Sequence, residues 1–483
     1  EDQNLLDGHR NGSASIVGKG TSEHEKAPFI TEPVRLTPAW EENNLPNDEL
    51  NFKGMTMERA KMELEPPHDR LKLVFLTLMV HGIGTLMPWN MFITAKSYFV
   101  DYKMSETYTG MESPYATYFL ASLGFASQIP NLLFNWINIF MNLGGNLTKR
   151  IVYSILVEVI VFVITVVLAM VDSSAWPGAF FWITMTTVVI LNMAGGIYQN
   201  SVYGMAAKLP FKYTGAVVLG SNISGTFASI ISILSASFAS SVRTAAIYYF
   251  ITAMFVLLLC FDTYFALPLN KFYRYHEMLK EKEMERNKRA GVDVTARPPY
   301  WKIFKQAFPQ LFNVFLVFFV TLSVFPAVHS DVRSTNPDSF IIPKNLFVDV
   351  TCFLTFNVCA MLGSLLTSWV QWPKPKYLVI FVVLRIAYLP LYLFCNYLPL
   401  NIERNLPVFI HDDYIYWFIA ITMGLSSGYL SSLGMMYAPQ TVEPQYATTA
   451  GMFAAAMLIT GIFSGILFST VFPLVVQTNF LTL

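Results

Sequence analysis

Charged side chains are scarce in this sequence. Asp, Glu, Lys and Arg together make up 13% of its 483 residues, whereas they account for roughly 25% of a soluble domain. Basic and acidic residues balance at 32 each, so no charge excess indicates nucleic-acid binding. Hydrophobic residues make up 54%, and the mean hydropathy is +0.45. This composition predicts an all-α polytopic membrane protein.

Cysteines are few, and the motifs of common enzymes are missing. The four cysteines, Cys260, Cys352, Cys359 and Cys395, lie in apolar runs and form no Cys-x-x-Cys pair. We interpret them as small packing residues. The sequence contains no P-loop for ATP and no His-Glu-x-x-His zinc motif. We therefore expect no enzymatic activity, no cofactor, no bound metal and no ATP-driven pumping.

Long apolar runs predict eleven transmembrane helices. They lie at about 71–95, 115–140, 151–171, 179–206, 215–240, 245–268, 304–327, 346–370, 377–398, 414–437 and 446–475. A charged stretch separates the first six from the last five. We predict a disordered cytosolic tail at 1–69, an N-terminal bundle at 70–269, a cytosolic basic loop at 270–302 and a C-terminal bundle at 303–483.

The distribution of Lys and Arg predicts the orientation, because cytosolic loops carry an excess of these residues. With the N-terminus in the cytosol, the inner loops hold the basic run Lys271–Lys302 and further cations at Lys149, Arg150, Lys208, Lys212, Lys374 and Lys376. An odd number of spans then places the C-terminus outside. We expect a monomeric, multi-pass protein of the plasma membrane, with the endosomal or lysosomal membrane as the alternative.

Amide side chains follow single faces of predicted spans. Gln128, Asn131, Asn135 and Asn138 share one face of the second span, and Gln199 lies on a polar face of the fourth. Polar stripes of this kind often hold membrane helices together. Four amides on one helix are hard to satisfy with protein groups alone, so we favour a polar, water-accessible path through the centre of the protein.

Ionisable residues inside the predicted spans are few. They are His81, Glu158 and Arg385. Arg385 has two interpretations, a side chain that reaches the cytosolic surface or one partner of a gating ion pair. Glu158 and His81 are either hydrogen-bonded groups inside the bundle or sites for a coupling proton. No cluster of carboxylates suggests a Na⁺ site, so we expect Na⁺-independent transport.

The first span is interrupted in its second half. The run Gly82–Thr94 contains two glycines, Pro88, Trp89 and Asn90. The proline bends the helix, and the glycines allow another backbone to approach closely. This run is either a packing face with an interfacial tryptophan or a segment that lines a ligand site.

Several short motifs, taken together, resemble those of the equilibrative nucleoside transporters. They are Gly82–Asn90 in the first span, Gln199–Gly204 in the fourth, Cys352–Asn357 in the eighth, Trp372-Pro373 in the next loop and Ser427–Ser431 in the tenth. The resemblance covers about residues 71–475. It implies a major-facilitator-like fold, with two bundles around a midplane site that opens alternately to each side. It also implies facilitative transport of nucleosides or nucleobases.

The resemblance implies a role for individual residues. Leu86 and Trp89 would line the nucleobase pocket, and Gln199 would hydrogen-bond the base edge. An aromatic ring stacks on a base with about 1–3 kcal/mol, and an amide pairs with base donors and acceptors. Gln128 and Asn131 stand where the family has apolar contacts with the base.

Other matched positions would hold the sugar or the helices. Phe353 and Asn357 would border the sugar, together with Ser364. Three matched glycines would allow close helix packing, namely Gly84, Gly195 and Gly220. We assign Asn90 and Arg385 to structural or gating roles.

One departure from the family pattern lies in the eighth span. Nucleoside carriers have an aspartate and an arginine there that hold the ribose hydroxyls, whereas this chain has Ala360 and Ser364. The substrate class is therefore open between nucleosides and nucleobases. Two alternatives remain, a polyspecific carrier of organic cations or monoamines, and a receptor or scaffold that has the fold but does not transport.

Overall fold

A computed structural model describes residues 62, 65–95, 97–110, 114–140, 146–289, 298–336, 340–343, 347–399 and 403–478. The disorder predicted for the tail concerns residues that lie almost entirely outside this range. Within the described residues there is no β-strand, only a single bridge between Val332 and Tyr397. The predicted all-α class is confirmed.

A helix occupies most of each apolar run predicted from the sequence. The long helices before the charged loop are α1 Leu73–Thr94, α2 Pro114–Phe140, α3 Leu147–Met170, α4 Pro177–Ala206, α5 Lys212–Phe238 and α6 Val242–Ala266. Between α1 and α2 lie a π-helical stretch, Ser97–Lys103, and a single helical turn, Glu106–Thr109. The loop itself contains α7, Lys271–Arg289. The later helices are α8 Tyr300–Val324, α9 Thr355–Leu366, α10 Leu378–Leu384, α11 Tyr388–Phe394, α12 Asp413–Tyr437, α13 Ala447–Ser469 and α14 Val471–Gln477.

Two of these regions are less regular than the sequence predicts. A π-helical stretch, Asp349–Leu354, leads into α9, and a 3₁₀ turn, Arg385–Ala387, joins α10 to α11. Among the residues that the structure describes, 7 helical stretches can cross a membrane by length and composition, while Val350–Leu366 and Leu378–Phe394 are shorter apolar helices. The chain therefore has the helices of a polytopic membrane protein, and the count of eleven spans stays a prediction.

Asp69 fixes the start of α1. Its carboxylate oxygens accept hydrogen bonds from the backbone N–H groups of Val74 and Phe75, each at 3.1 Å. These N–H groups lack partners within the helix, and a carboxylate near a helix N-terminus is stabilising. The hydroxyl of Tyr213 donates to the same carboxylate at 3.1 Å, which ties the start of α5 to the start of α1.

Helices α1 and α5 pack backbone to backbone through glycine. A Cβ atom on Gly220 would lie 1.9 Å from the carbonyl oxygen of Met79, and one on Gly82 would lie 2.2 Å from that of Val217. No side chain fits at such distances. The two glycines therefore set the separation of these helices, as small residues do in membrane proteins.

The helices before and after α7 meet near one face of the protein, the face on which α7 lies. We call this the loop side. Asn200 of α4 donates to the carbonyl of Met452 at 2.8 Å, and Trp136 of α2 donates to Thr460 at 3.0 Å. On the opposite face, Lys103 donates to the carbonyl of Val171 at 2.7 Å, within the first group of helices.

Candidate functional site

The second half of α1 is held against α5 by polar contacts. Asn90 donates to the hydroxyl of Ser224 at 3.0 Å, and one turn earlier Thr85 lies 3.4 Å from the hydroxyl of Ser221. Ser221 also donates to the carbonyl of Gly82 at 3.2 Å. Asn90 thus sits in the contact between α1 and α5. In the sequence, Ser224 is distinguished only by lying in a run of small and polar residues, Gly220–Gly225, within the fifth predicted span.

Helix α5 also brings α9 to this level. A Cβ on Gly225, the residue after Ser224, would lie 2.8 Å from the side-chain oxygen of Asn357. The Asn357 amide donates to the carbonyl of Phe353 at 3.0 Å. Phe353 is 41% exposed. Asn90 precedes the α7 loop in the chain and Asn357 follows it. The structure therefore brings residues from both helix groups to neighbouring positions on α5.

The amides of α2 make more contacts with protein than the sequence suggests. Asn135 donates to the side chain of Asn131 at 2.7 Å, and Asn138 donates to Asn200 at 2.9 Å. Arg150 of α3 also donates to Asn138 at 3.1 Å. Asn135 and Asn138 are fully buried. Protein groups meet both ends of the Asn138 amide, whereas the Oδ1 of Asn135 has no described partner.

Helix α4 packs against α2 just before Gln199. A Cβ on Gly196 would lie 2.8 Å from the carbonyl oxygen of Asn131, so the backbones touch there. Gln128 is buried one turn before Asn131 on α2. Gln128, Asn131 and Gln199 thus belong to one contact region between α2 and α4.

Gln199 and Glu158 are buried without hydrogen bonds to protein. Gln199 is 1% exposed and Glu158 is 0% exposed, and neither the amide atoms nor the carboxyl oxygens have a partner in the described residues. Glu158 of α3 points towards α4, because a Cβ on Gly195 would lie 3.4 Å from its Oε1. Buried polar groups are almost always satisfied, so these two side chains stand out.

Gly84 lets α1 approach α4 and α6. A Cβ there would lie 2.6 Å from Sγ of Cys260 and 3.1 Å from the hydroxyl of Tyr198. The same hydroxyl lies 2.7 Å from Nδ1 of His81. His81 is therefore hydrogen-bonded inside the bundle. Tyr198 precedes Gln199, so α1 faces the region around Gln199 at the level of Gly84.

Leu86 and Trp89 are half-buried on α1. Trp89 follows Gly84 by five residues, which is about 7.5 Å along a helix. The two side chains therefore lie between the level of Gln199 and that of Asn90. This placement permits a site shared by α1, α4, α5 and α9.

Ser364 takes part in a contact between the two groups of helices. Its hydroxyl accepts from the amide of Asn222 at 2.6 Å and donates to the carbonyl of Gly428 at 3.1 Å. Ala360 is buried against the same helix, since a Cβ on Gly428 would lie 1.9 Å from the Ala360 carbonyl. Ser364 therefore has a structural partner on each side. Asn222 belongs to a polar stretch of the fifth predicted span, but the sequence does not pair it with Ser364.

Arg385 is buried within the later helices, at 2% exposure. It donates to the carbonyl oxygens of Val317 and Met423 at 3.0 and 3.3 Å, and to the hydroxyls of Thr321 and Ser426 at 3.0 and 3.1 Å. All of these acceptors are neutral. The side chain thus binds α8 to α12 and does not reach a surface.

No group of three or more His, Cys, Asp or Glu side chains that could hold a metal ion occurs among the described residues. The arrangement instead combines a half-buried indole, several amides and one carboxyl within a helical bundle. Such a set can stack on a flat ring and hydrogen-bond to its edge.

Comparison with known proteins points to one family. Residues 185–474 match the family model described as nucleoside transporter. The chain is 33% identical over 457 residues to equilibrative nucleoside transporter 1 of Homo sapiens, covering 85% of this chain and 99% of that protein. It is 30% identical over 458 residues to equilibrative nucleoside transporter 2 of Homo sapiens, with 84% and 98% covered.

Solved structures with a similar fold belong to the major facilitator superfamily. The proton:xylose symporter XylE superposes with a TM-score of 0.54 at 12% identity, covering 84% of this chain and 90% of that one. The human organic anion transporter MFSD10 gives a TM-score of 0.50 at 15% identity, covering 86% and 97%. At such low identity the likeness establishes the fold alone.

Proposed function

The chain belongs to the equilibrative nucleoside transporter family, and on that premise we propose that it carries nucleosides or nucleobases across a membrane by facilitative alternating access. The observation that carries this proposal is the 33% identity to a human equilibrative nucleoside transporter, which extends over 99% of that protein. The major facilitator fold agrees with it. The alternative of an organic cation carrier has no comparable support.

We place the substrate between α1, α4, α5 and α9. Trp89 and Leu86 would contact the base, and the amide of Gln199, which has no described protein partner, would bind its edge. Gln128 and Asn131 would approach the base from α2. Phe353 and Asn357 would border the sugar, where the hydroxyl groups need donors and acceptors.

The two helix groups would form the two bundles of a six-plus-five arrangement with eleven spans. In the structure the groups are hydrogen-bonded near the loop side, for example between Asn200 and the carbonyl of Met452. We infer that this conformation is closed on the loop side, which the Lys and Arg distribution assigns to the cytosol. The protein would act as a monomer in the plasma membrane, with the endosomal or lysosomal membrane as the alternative.

We infer weak discrimination between nucleosides and free nucleobases. Ala360 carries no side-chain donor or acceptor, and the hydroxyl of Ser364 is already engaged with Asn222 and with the Gly428 carbonyl. These two positions therefore offer the ribose little. Hydrogen bonds to charged groups are worth about 1.5–3 kcal/mol, so their lack costs ribose-dependent affinity.

The test is uptake of labelled uridine, adenosine, uracil, adenine and tetraethylammonium in cells without carriers of their own, with vector-only cells as control. The proposal expects saturable nucleoside or nucleobase uptake that is the same in sodium and choline buffer. Preloading with the unlabelled compound should accelerate uptake, as expected for a facilitative carrier. Strict Na⁺ dependence, uptake of the cation alone, or no uptake by protein at the cell surface would contradict it.

A further inference from the structure

A cavity of about 390 Å³ lies on the loop side, away from the proposed substrate site. Four parts of the chain enclose it, namely the α4–α5 connection at Ala207–Phe211, helix α7, the end of α12 and the start of α13. It therefore contacts both helix groups and the helix between them. Its volume falls within the roughly 300–1,000 Å³ that is usual for small-molecule sites.

Two lysines line this cavity. Lys208 comes from the α4–α5 connection and Lys280 from α7, and each is only partly exposed. The Lys280 ammonium donates to the hydroxyl of Thr448 at 3.0 Å. Within the described residues, no carboxylate oxygen lies within 4 Å of either ammonium. The two cations therefore line the same half-open cavity, and neither has a described carboxylate partner within 4 Å.

The surroundings of the cavity lower the pKa values of both lysines. Burial, and after it the neighbouring charge of Lys208, lowers the pKa of Lys280 to about 8, while Glu283 and Glu277 oppose the shift. Burial also lowers the pKa of Lys208, against the attraction of Glu277. An anion between the two ammonium groups would relieve both the desolvation and the mutual repulsion.

Other titratable groups around the cavity do not neutralise the positive charge of the two lysines. Glu283 lines the wall but makes no ion pair within 4 Å to either lysine. His276 lines it too, and burial lowers its pKa, so the ring offers a neutral donor or acceptor. Phe211 and Leu279 provide apolar surface beside these groups.

We propose that this loop-side cavity binds a phosphate-bearing anion between Lys208 and Lys280. A phosphate group offers several strong acceptor oxygens and up to two negative charges, which suits two ammonium groups better than a single carboxylate does. The anion comes either from a soluble phosphorylated compound or from the headgroup of a phosphorylated lipid. Because the cavity contacts both helix groups, the bound anion would stabilise the conformation in which they meet.

The test is the thermal stability of the purified full-length protein in detergent, with sodium pyrophosphate as the soluble probe. Sodium sulfate at equal ionic strength controls for general salt effects. We expect pyrophosphate to raise the Tm of the wild type. Lys208→Gln and Lys280→Gln should each raise, by about tenfold or more, the pyrophosphate concentration that gives half of the full Tm rise. The matched control is Lys302→Gln, which removes an exposed lysine that already pairs with Glu443 at 3.2 Å and should keep the full response.

A second arm distinguishes the lipid source. The protein is placed in phosphatidylcholine nanodiscs with or without phosphatidylinositol 4,5-bisphosphate. A Tm rise with this lipid, lost in Lys280→Gln, supports the proposal with a lipid headgroup as the anion, even where pyrophosphate alone is too weak. The charge-conserving variants Lys208→Arg and Lys280→Arg should retain binding, which covers the case in which a Gln variant fails to fold.

Two results would overturn the proposal. One is a wild type that responds neither to pyrophosphate nor to the phosphorylated lipid. The other is a response that persists unchanged in both Gln variants, which would place the anion elsewhere. Neither readout depends on transport, so failure of this proposal leaves the transport proposal standing, and the reverse also holds.

Discussion

Two buried polar regions of the molecule are built in opposite ways. In the later helices, the guanidinium of Arg385 donates to four neutral acceptors on α8 and α12. In the earlier helices, Glu158 and Gln199 are at least as deeply buried, yet none of their side-chain oxygens or nitrogens has a described protein partner.

The difference indicates what each region is for. A buried charge whose hydrogen bonds are filled by protein has nothing left to offer a ligand, and it stabilises the contact between its helices. A buried amide without a partner costs about 1–3 kcal/mol, and evolution keeps such a cost mainly where a ligand or water satisfies the group. We therefore assign Arg385 to the contact between α8 and α12, and Gln199 to the substrate site that we propose.

The largest effect is expected from Arg385→Ala. The change removes the bonds that join α8 to α12 and leaves a cavity where a long side chain was packed. Large-to-small core changes typically cost about 2–5 kcal/mol, so we expect a loss of about 3 kcal/mol or more in stability. Thermal unfolding in detergent measures it, with the exposed Lys305→Ala as the control. An unchanged Tm would mean that the filled network does not hold the later helices together.

A smaller loss is expected from Gly220→Ala. Its new Cβ would lie 1.9 Å from the Met79 carbonyl, so α1 must move away from α5. Overpacking typically costs about 1–3 kcal/mol, and uptake should fall with it because α1 carries Trp89. The matched control is Gly195→Ala, whose Cβ would meet Glu158 Oε1 at 3.4 Å, an ordinary contact. Equal losses in the two variants would show that the space beside Glu158 is tighter than the structure indicates.

Gln199→Leu should separate stability from transport. Leucine is one bond shorter than glutamine but of similar volume, and it removes an amide that has no described protein partner, so the Tm should stay or rise. Uptake should fall about tenfold or more if the amide binds the base, since 1.4 kcal/mol corresponds to a factor of ten. The contrasting variant is Asn138→Leu, whose amide is bonded to Asn200 and whose loss should lower the Tm. A Tm drop with Gln199→Leu and no change in uptake would make Gln199 a structural residue and remove it from the proposed substrate site.

The contrast between these regions also explains what the sequence predicted and what it did not. Apolar length and charge distribution locate the helices, because a bilayer demands about 20 apolar residues for each span. The polar face of α2 is also visible in the sequence. Whether its amides turn to water or to protein is decided by α3 and α4, through Arg150 and Asn200. Such partners are distant in the chain.

The eighth span shows the same limit. The sequence marks Ser364 as a departure from the family, but the role of its hydroxyl depends on Asn222, which lies 142 residues away in the chain. Arg385 likewise has two interpretations from its depth alone. The structure shows its four acceptors, none of which is charged, and the predicted gating role remains untested. Side-chain partners between helices are thus the part that one sequence does not determine.

The smallest effect is expected at the surface pair of Lys302 and Glu443. Unlike Arg385, Lys302 has a carboxylate partner, and the two side chains of the pair are 56% and 48% exposed. Hydrogen bonds from Gln445 and Lys302 lower the pKa of Glu443 from its ordinary 4.5. A carboxyl with a lower pKa in the folded state stabilises the protein above its ordinary pKa, and that contribution disappears as the pH falls through the folded pKa.

Glu443→Gln should therefore lower the Tm slightly at neutral pH and not at all below the folded pKa of the carboxyl. Exposed pairs contribute little because water and salt screen them, so the change should be a small fraction of that in Arg385→Ala and should shrink further at high salt. Tm measured against pH for wild type and variant checks the sign. A difference that grows on acidification would contradict the sign of the pKa shift. A difference as large as that of Arg385→Ala would mean that this surface pair stabilises the protein as much as the filled hydrogen bonds of Arg385 do.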